Sequence, residues 1–278
     1  PANTNYRFIE SDVEALDLVP MVKSCDAVIH LAAITNATES FQNKERVEKV
    51  NFAATSSVAE ACAKTKRPLI HLSTTSVYGK SDSAVDESCV DSVLQPQSPY
   101  AETKLREEKF LAQMGKEKGL RFVICRFGTI FGTSPGIRFH TAVNKFCWQA
   151  VMNTPVTVWK TALHQVRPYL DLSDGVRAIE HILKVGIFTN QIYNVVTLNA
   201  TVNDILSAIR KFVPKLEVKL VEAAIMNQLS YEVLSQKFAA TGFKTRGNLS
   251  QGIEDTIRLL KNAHPQPNEN FAVVSLSA

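Results

Sequence analysis

The sequence of 278 residues lacks several features that would place it in other classes of protein. It has no apolar run of the roughly 20 residues that a membrane-spanning helix needs, and residues 1–5 do not resemble a signal peptide. The net charge is only +4, and there are no blocks of like charge such as mark nucleic-acid-binding surfaces. We therefore expect a cytoplasmic protein that contacts neither a membrane nor nucleic acid.

Cysteine is scarce and scattered. The 5 cysteines include no C-x-x-C pair and no spacing with histidine that would bind a metal. Because oxidising compartments favour paired cysteines, this pattern predicts reduced, mostly buried thiols in the cytosol and no metal site.

Short apolar runs alternate with amphipathic segments in the first half of the chain. The patterns predict strands at Arg7–Ser11, Ala27–Ala33, Leu69–Ser76 and Arg121–Phe131, and helices at Val13–Lys23, Val47–Lys64 and Tyr100–Met114. On the last helix, the glutamates and lysines are expected to face outward. Strands and helices that alternate at this rhythm are typical of a doubly wound parallel sheet, a Rossmann-like α/β fold.

After about residue 133 the alternation becomes less regular. Helices are predicted at Ala142–Met152, Asp174–Val185 and Val202–Phe212, and strands at Val156–Trp159, Tyr169–Leu172 and Ile192–Val196. We expect residues 1–133 to form a partial Rossmann-like cofactor-binding domain, and residues 134–263 a smaller, mainly substrate-binding α/β lobe interleaved with the end of the sheet. Residues 264–278 are expected to be a flexible tail whose apolar part, Phe271–Leu276, would suit a sheet edge or a partner.

The main chemical signal is Tyr100 followed four residues later by Lys104. Residues at this spacing share one face of a helix, so the ammonium is expected to favour the phenolate and lower the pKa of the phenol. Such a phenol can act as a general acid or base at an alcohol or carbonyl. The spacing alone also fits a solvated pair on a helix surface.

A cluster of hydroxyls, Ser73 to Ser76, follows the predicted strand that ends near Leu72. The carboxyl ends of parallel strands are where open α/β sheets bind ligands, and a hydroxyl there can donate to a developing oxyanion. The alternative is a turn in which these side chains only cap the strand.

Together, S-T-T-S-V-Y-G at 73–79 and S-P-Y-A-E-T-K-L-R-E-E at 98–108 resemble the active-site segments of extended short-chain dehydrogenases/reductases, the NAD-dependent epimerase/dehydratase family. H-L-A-A at 30–33, N-x-x-x-T at 51–55 and R-F-G-T-I-F-G at 126–132 also resemble segments of that family. Ala54 stands where the family has glycine, and Thr129 where it has asparagine.

The resemblance implies a role for each matching residue. Thr74 would bond the reacting oxygen, Tyr100 would be the acid/base, and Lys104 would hold the nicotinamide ribose. The residues implied to contact NAD, besides Tyr100 and Lys104, are Asp12, Val13, Leu31, Ala32, Ala33, Thr35, Asn51, Ser73 and Phe127. The residues implied to contact a nucleotide-sugar substrate are Thr75, Ser76, Thr129, Arg138 and Arg167. Members of the family also commonly form homodimers through the helices that correspond to 47–64 and 100–114.

The resemblance further implies oxidation of a sugar hydroxyl, commonly at C4, with hydride transfer to NAD. Dehydratases of the family have Asp-Glu where this chain has Thr75 and Ser76, which cannot act as acid or base at neutral pH. Dehydration is therefore disfavoured. An epimerase is favoured, and a reductase of a 4-keto sugar stays open.

One expected motif is absent from the sequence. The family's first strand and its G-x-x-G-x-x-G turn, which binds the cofactor's pyrophosphate at a helix start, have no counterpart among the 11 glycines. The sequence is therefore expected to be a fragment, a splice form or a sequence from which one region has been omitted. A non-catalytic family member that serves as a regulatory or partner-binding subunit is the alternative of another class.

Overall fold

The computed structural model describes residues 6–37, 39–81, 83–222 and 230–263, and a parallel four-stranded sheet lies at its centre. In spatial order the strands are β1 (Val28–His30), β2 (Leu69–Thr74), β3 (Phe122–Phe127) and β7 (Gln191–Val195). Parallel neighbours need crossover connections, and the helices that supply them are α2 (Lys44–Thr65), α3 (Pro99–Lys118) and α5 (Leu172–Val185). The predicted doubly wound parallel sheet is therefore present.

The two faces of this sheet are covered by different helices because alternate strand residues point in opposite directions. Leu69, Phe122 and Ile124 pack against α2 and α3. Val123 and Cys125 pack against α5 on the other face. Each fully buried side chain of this size contributes roughly 1.5–3 kcal/mol, so both helical layers are firmly attached to the sheet.

Helix α3 begins and ends with recognisable caps. The Ser98 side chain accepts a hydrogen bond from the backbone of Ala101 at 3.2 Å, and Pro99 occupies the first helical position. Gly119 ends the helix in the left-handed conformation, with φ of 66°. The expectation that its glutamates and lysines all face outward is wrong for Lys104, Glu107 and Glu108, which are buried against the sheet.

The second half of the chain forms a separate core that also contributes to the first sheet. Strands β4 (Thr129–Phe131), β6 (Val166–Asp171) and β8 (Leu198–Thr201) form a three-stranded sheet, and β5 (Val156–Trp159) pairs with β9 (Val218–Val221). Helices α4 (Ala142–Val151), α6 (Val202–Arg210) and α8 (Leu249–Leu260) pack around these strands. Strand β7, from this half of the chain, joins the central sheet beside β3.

The predicted strand Arg121–Phe131 is in fact two strands in different sheets. The chain changes sheet at Gly128, whose N–H donates to the Val195 carbonyl at 3.1 Å. A Cβ at this position would lie 3.1 Å from the carbonyl oxygen of Pro168. The close approach of β6 therefore explains why glycine stands at the break.

Several predicted boundaries are also corrected. Arg7–Ser11 is not a strand: Tyr6 and Phe8 are 71% and 72% exposed and no described strand lies beside them. The predicted helix Val13–Lys23 is a single 3₁₀ turn at Val13–Ala15 followed by the short helix α1 (Leu18–Lys23). Strand β2 ends at Thr74, because the next four residues form a 3₁₀ turn.

Other elements were not predicted at all, namely β8, β9, α8 and the short helix α7 (Gln236–Ala239). The predicted tail, residues 264–278, lies outside the described residues. Within the described part of the chain, none of the helices is both long enough and apolar enough to cross a bilayer.

Candidate active site

The carboxyl ends of the central strands lie side by side at one edge of the sheet. His30 of β1 is opposite His71 of β2, and Thr74 at the end of β2 is opposite Phe127 at the end of β3. Ligands of open α/β sheets bind at this edge. The predicted hydroxyl cluster therefore begins where a ligand crevice is expected.

The hydroxyls that follow β2 differ in their surroundings. Thr74 is half-buried, and its Oγ1 accepts a hydrogen bond from the Ser76 backbone at 3.1 Å. Thr75 is only 2% exposed and donates to the Phe127 carbonyl at 3.3 Å. This inward orientation argues against Thr75 as a substrate contact. Both Thr75 and Ser76 also bond the hydroxyl of Tyr231, a residue that local sequence patterns did not identify.

Tyr100 lies in the first turn of α3, which packs on β2 and on the 3₁₀ turn that follows it. Its backbone N–H donates to the Ser40 hydroxyl at 3.3 Å. Burial raises the pKa of the Tyr100 phenol, Glu107 raises it further, and Arg138 acts in the opposite direction. Lys104, which was expected to lower this pKa, is not among the groups whose charges act on it most strongly in the structure.

The reason is the direction of the Lys104 side chain. Its ammonium is 2.8 Å from Oε2 of Glu107, one turn further along α3, and the side chain is almost fully buried. Lysine has a long, flexible side chain, and here it points toward the carboxyl-terminal end of the helix.

The segment after β1 is held by Asn51 of α2. The Asn51 amide accepts from the Ile34 N–H at 2.7 Å and donates to the Ile34 carbonyl at 3.0 Å. Asn51 itself is fully buried, so its role in cofactor binding would be to fix this segment. Leu31, 59% exposed, and Ala32 lie on the accessible side, and Ala33 is half-buried.

Arg138 reaches from the second half of the chain to the same segment. Its guanidinium donates to the hydroxyl of Thr35, and its charge acts on the Tyr100 phenol. Asn144, a buried residue of α4, holds this loop by donating to the Arg138 carbonyl at 3.2 Å and accepting from Gly132 N–H at 3.2 Å. The structure thus brings Thr35, Tyr100 and Arg138 together, although they are distant in sequence.

A buried ion pair lies beneath the hydroxyl cluster. Arg126 of β3 is bonded to Glu108 of α3, with one N–O distance of 2.6 Å, and its guanidinium lies 4.9 Å from the ring centre of Tyr78. The Ser73 hydroxyl donates to Glu108 at 2.5 Å. Ser73 is therefore engaged inside the protein, whereas a cofactor contact was expected.

The remaining predicted residues are spread more widely. Thr129 is half-buried in β4, opposite Tyr169 of β6. Arg167 of β6 is half-buried and lowers the pKa of both Tyr169 and Tyr231, which burial raises. This links Arg167 through Tyr231 to Thr75 and Ser76.

Two predicted cofactor residues lie at the start of the described chain. Asp12 is exposed at the start of the 3₁₀ turn, and Val13 packs against the core between the sheet and α2.

The residues that follow β1 and those at the start of α3 fit the nicotinamide half of a dinucleotide. Thr35 and Tyr100 supply hydroxyls at the sheet edge, beside the exposed Leu31 and Ala32, whereas the Lys104 ammonium is bonded to Glu107. The first glycine of the sequence is Gly79, after β2.

The family of this chain follows from its match to a family model. The family model described as NAD dependent epimerase/dehydratase family matches residues 2–195. The chain belongs to this family. The resemblance proposed from the sequence is therefore confirmed.

Curated relatives of this family member carry out several nucleotide-sugar reactions. A trifunctional UDP-glucose 4,6-dehydratase/UDP-4-keto-6-deoxy-D-glucose 3,5-epimerase/UDP-4-keto-L-rhamnose-reductase of Arabidopsis thaliana is 29% identical over 92% of this chain and 40% of its own length. An uncharacterized UDP-glucose epimerase of Bacillus subtilis is 30% identical over 64% of this chain and 55% of its own length. The chain thus spans about half or less of the length of these relatives.

Solved structures show the same fold. The UDP-glucuronic acid 4-epimerase of Bacillus cereus, in complex with UDP-glucuronic acid and NAD, is 27% identical with a TM-score of 0.81, covering 93% of this chain and 83% of that one. MoeE5 in complex with UDP-glucuronic acid and NAD is 25% identical with a TM-score of 0.81, covering 90% and 84%. The predicted Rossmann-like fold is confirmed, and the family is NAD-dependent.

Proposed function

We propose that this family member is an NAD-dependent nucleotide-sugar epimerase that inverts C4 of the sugar. The observation that carries the proposal is the position of Tyr100 in the first turn of α3, which packs on β2 and on the turn that begins after Thr74, with Arg138 acting on its phenol. A phenol on a helix that packs on this edge of the sheet, within the electrostatic influence of a cation, can deprotonate an alcohol. Relatives that act on UDP-sugars support this choice of substrate class.

Each residue of this chain would have a defined task. Tyr100 would take the proton of the C4 hydroxyl, and the Thr74 hydroxyl would donate to the same oxygen as a carbonyl forms. NAD, when bound, accepts the hydride from C4 and returns it. Lys104 would hold the nicotinamide ribose, and Arg138 and Arg167 would bind the anionic nucleotide. Tyr100 would give its proton back to the oxygen after the sugar has turned over.

Dehydration is a weaker candidate for this chain, although some relatives are dehydratases. Eliminating water needs an acid and a base besides Tyr100. The two residues after Thr74 are Thr75 and Ser76, whose side chains are engaged with Tyr231 and carry no carboxylate.

Two other functions stay open. Reduction of a nucleotide-linked 4-keto sugar would use the same residues in one direction only. A non-catalytic, partner-binding role is the alternative of another class.

The test is to incubate the chain with NAD and a panel of nucleotide sugars that includes UDP-glucose and UDP-glucuronic acid, and to follow C4 inversion by proton NMR. We expect inversion with at least one sugar and none with Tyr100→Phe. Reduction of 4-keto sugars without inversion would favour the reductase. No NAD binding in calorimetry at millimolar cofactor would favour the non-catalytic role.

We also propose a cytosolic homodimer formed through α2 and α3. Support comes from Phe52 and Phe110, half-buried rings 5.3 Å apart that link the two helices, and from the exposed Val50. Light scattering at micromolar concentration is expected to give twice the mass of one chain, and the mass of a single chain would contradict the dimer.

A further inference from the structure

A second group of ionisable side chains is buried directly behind the Tyr100–Lys104 pair. One oxygen of Glu107, Oε2, lies 2.8 Å from the Lys104 ammonium and 3.1 Å from Nε2 of His71. Glu107 and His71 are fully buried, and Lys104 is 3% exposed. This group lies between α3 and β2, and Lys104 is the member of it to which the proposed mechanism gives a task.

The protonation states of the groups around the Glu107 carboxylate show which of them is its counter-ion. On β1, the ring of His30 stacks on His71 with 5.7 Å between centres and contacts the Thr55 hydroxyl at 3.0 Å. Burial, followed by the Lys104 charge, lowers the pKa of His71, and burial lowers that of His30 to about 4. Both imidazoles are therefore neutral at pH 7.

Lys104 is accordingly the cation that balances Glu107. Burial alone would raise the pKa of Glu107, but His71 and Lys104 together bring it below its usual value. The neighbouring carboxylate, Glu108, is itself neutralised by Arg126.

The arrangement leaves half of the Glu107 carboxylate unused. Its Oε1 and both ring nitrogens of His71 lack a hydrogen bond of good geometry among the described residues, although Nε2 of His71 lies 3.1 Å from Oε2. Buried carboxylates are usually fully bonded, so Glu107 has bonding capacity that its contacts with Lys104 and His71 do not use.

The same helix face also carries Tyr100. Lys104 follows Tyr100 by four residues and precedes Glu107 by three, so its ammonium can reach either side chain along one face. The charges of Glu107 and Arg138 act on the Tyr100 phenol, and Lys104 lies one turn away. A carboxylate that holds Lys104 therefore determines how much positive charge reaches the phenol.

We propose that Glu107 is a positioning residue, which holds the Lys104 ammonium against His71 and thereby sets the pH at which Tyr100 can accept a proton. The inference rests on the proposed function for its kinetic consequence. Its structural part, the position of Lys104, is independent of turnover.

The kinetic test is the pH dependence of turnover in Glu107→Gln. Removing the negative charge favours the phenolate of Tyr100. The acid limb of the plot of rate against pH is therefore expected to shift to lower pH by roughly one unit, as for loss of one nearby charge. The KM for the nucleotide sugar is expected to stay within about twofold, because Glu107 is not placed at the substrate. A profile that coincides with that of the unaltered chain would overturn the proposal, even if the rate were lower.

The matched control is Glu102→Gln on the same helix. Glu102 is exposed and pairs with Lys44 at 3.1 Å, so this variant removes one negative charge from α3 without touching Lys104. Water and salt screen an exposed charge, and its profile is expected to match the unaltered chain. An equal shift in both variants would mean that net charge alone is responsible, which also overturns the proposal.

A crystal structure of Glu107→Asp tests the position of Lys104 without an assay. The shorter side chain draws the carboxylate back from the Lys104 ammonium but keeps one negative charge beside His71, so this variant is expected to fold even if Glu107→Gln does not. We expect the Lys104 ammonium to leave residue 107 and approach the Tyr100 hydroxyl. Lys104 still bound to residue 107 would overturn the proposal, whereas an unaltered chain without turnover would count against the proposed function only.

Discussion

The pair Arg126–Glu108 gives the sharpest prediction about stability. Both side chains are 3% exposed, and the guanidinium is bonded to the carboxylate at 2.6, 3.0 and 3.2 Å. Glu108→Gln preserves the shape of the side chain and removes its charge. Arg126 would then be left as a buried cation with the ring of Tyr78 as its nearest compensation.

Breaking such a pair costs about 3–5 kcal/mol. With about 2 °C per kcal/mol for a chain of this size, the midpoint of thermal unfolding is expected to fall by about 6–10 °C. Circular dichroism during heating and during urea unfolding measures both quantities. The control is again Glu102→Gln, because an exposed pair contributes about 0–1 kcal/mol.

The double variant Arg126→Met/Glu108→Leu distinguishes two contributions to this loss of stability: the attraction between the two ions, and the cost of leaving one buried charge without a partner. Replacing both ions by apolar side chains is often neutral, so most of the stability is expected to return. A loss for Glu108→Gln no larger than the control, or a double variant less stable than Glu108→Gln alone, would refute the reasoning.

Three further predictions concern single residues. Tyr100→Phe is expected to reduce turnover by about 10²–10⁴-fold while calorimetric binding of the nucleotide sugar stays nearly unchanged; full activity would remove Tyr100 from the mechanism. Arg167→Ala is expected to raise the KM about tenfold with a smaller effect on kcat, as for loss of a charge-assisted bond; an unchanged KM would contradict anion binding. Gly79→Ala is expected to unfold at a much lower urea concentration than Gly119→Ala. Both glycines have φ near +70°. Only at Gly79 would a Cβ also lie 1.9 Å from a backbone oxygen, that of Gln95.

Much of the fold could be predicted from the sequence because the central elements are long and periodic. Helix α2 was predicted as Val47–Lys64 and is Lys44–Thr65, and β5 has the predicted bounds. Elements that depend on tertiary partners were missed. Strand β9 is four residues long and forms against β5, and nothing in its local pattern marks that pairing.

The site was predicted less completely for a similar reason. Tyr100 and Lys104 were found because their spacing is local, and Thr74 because it follows a strand. Glu107 was taken for a solvent-facing residue, since a glutamate on an amphipathic helix usually is one. The buried charge on this side of α3 becomes apparent only in the folded sheet. There the pairing of β1 with β2 places His30 beside His71, and Glu107 lies against His71.

The break at Gly128 has a mechanical consequence. One residue joins the last position of the central sheet, Phe127, to the first position of the second sheet, Thr129. Phe127 was expected to contact the cofactor and Thr129 the substrate. Because Gly128 is bonded to Val195 and packed against Pro168, the two expected ligand contacts are held at a fixed separation, which would fix the distance between the bound molecules.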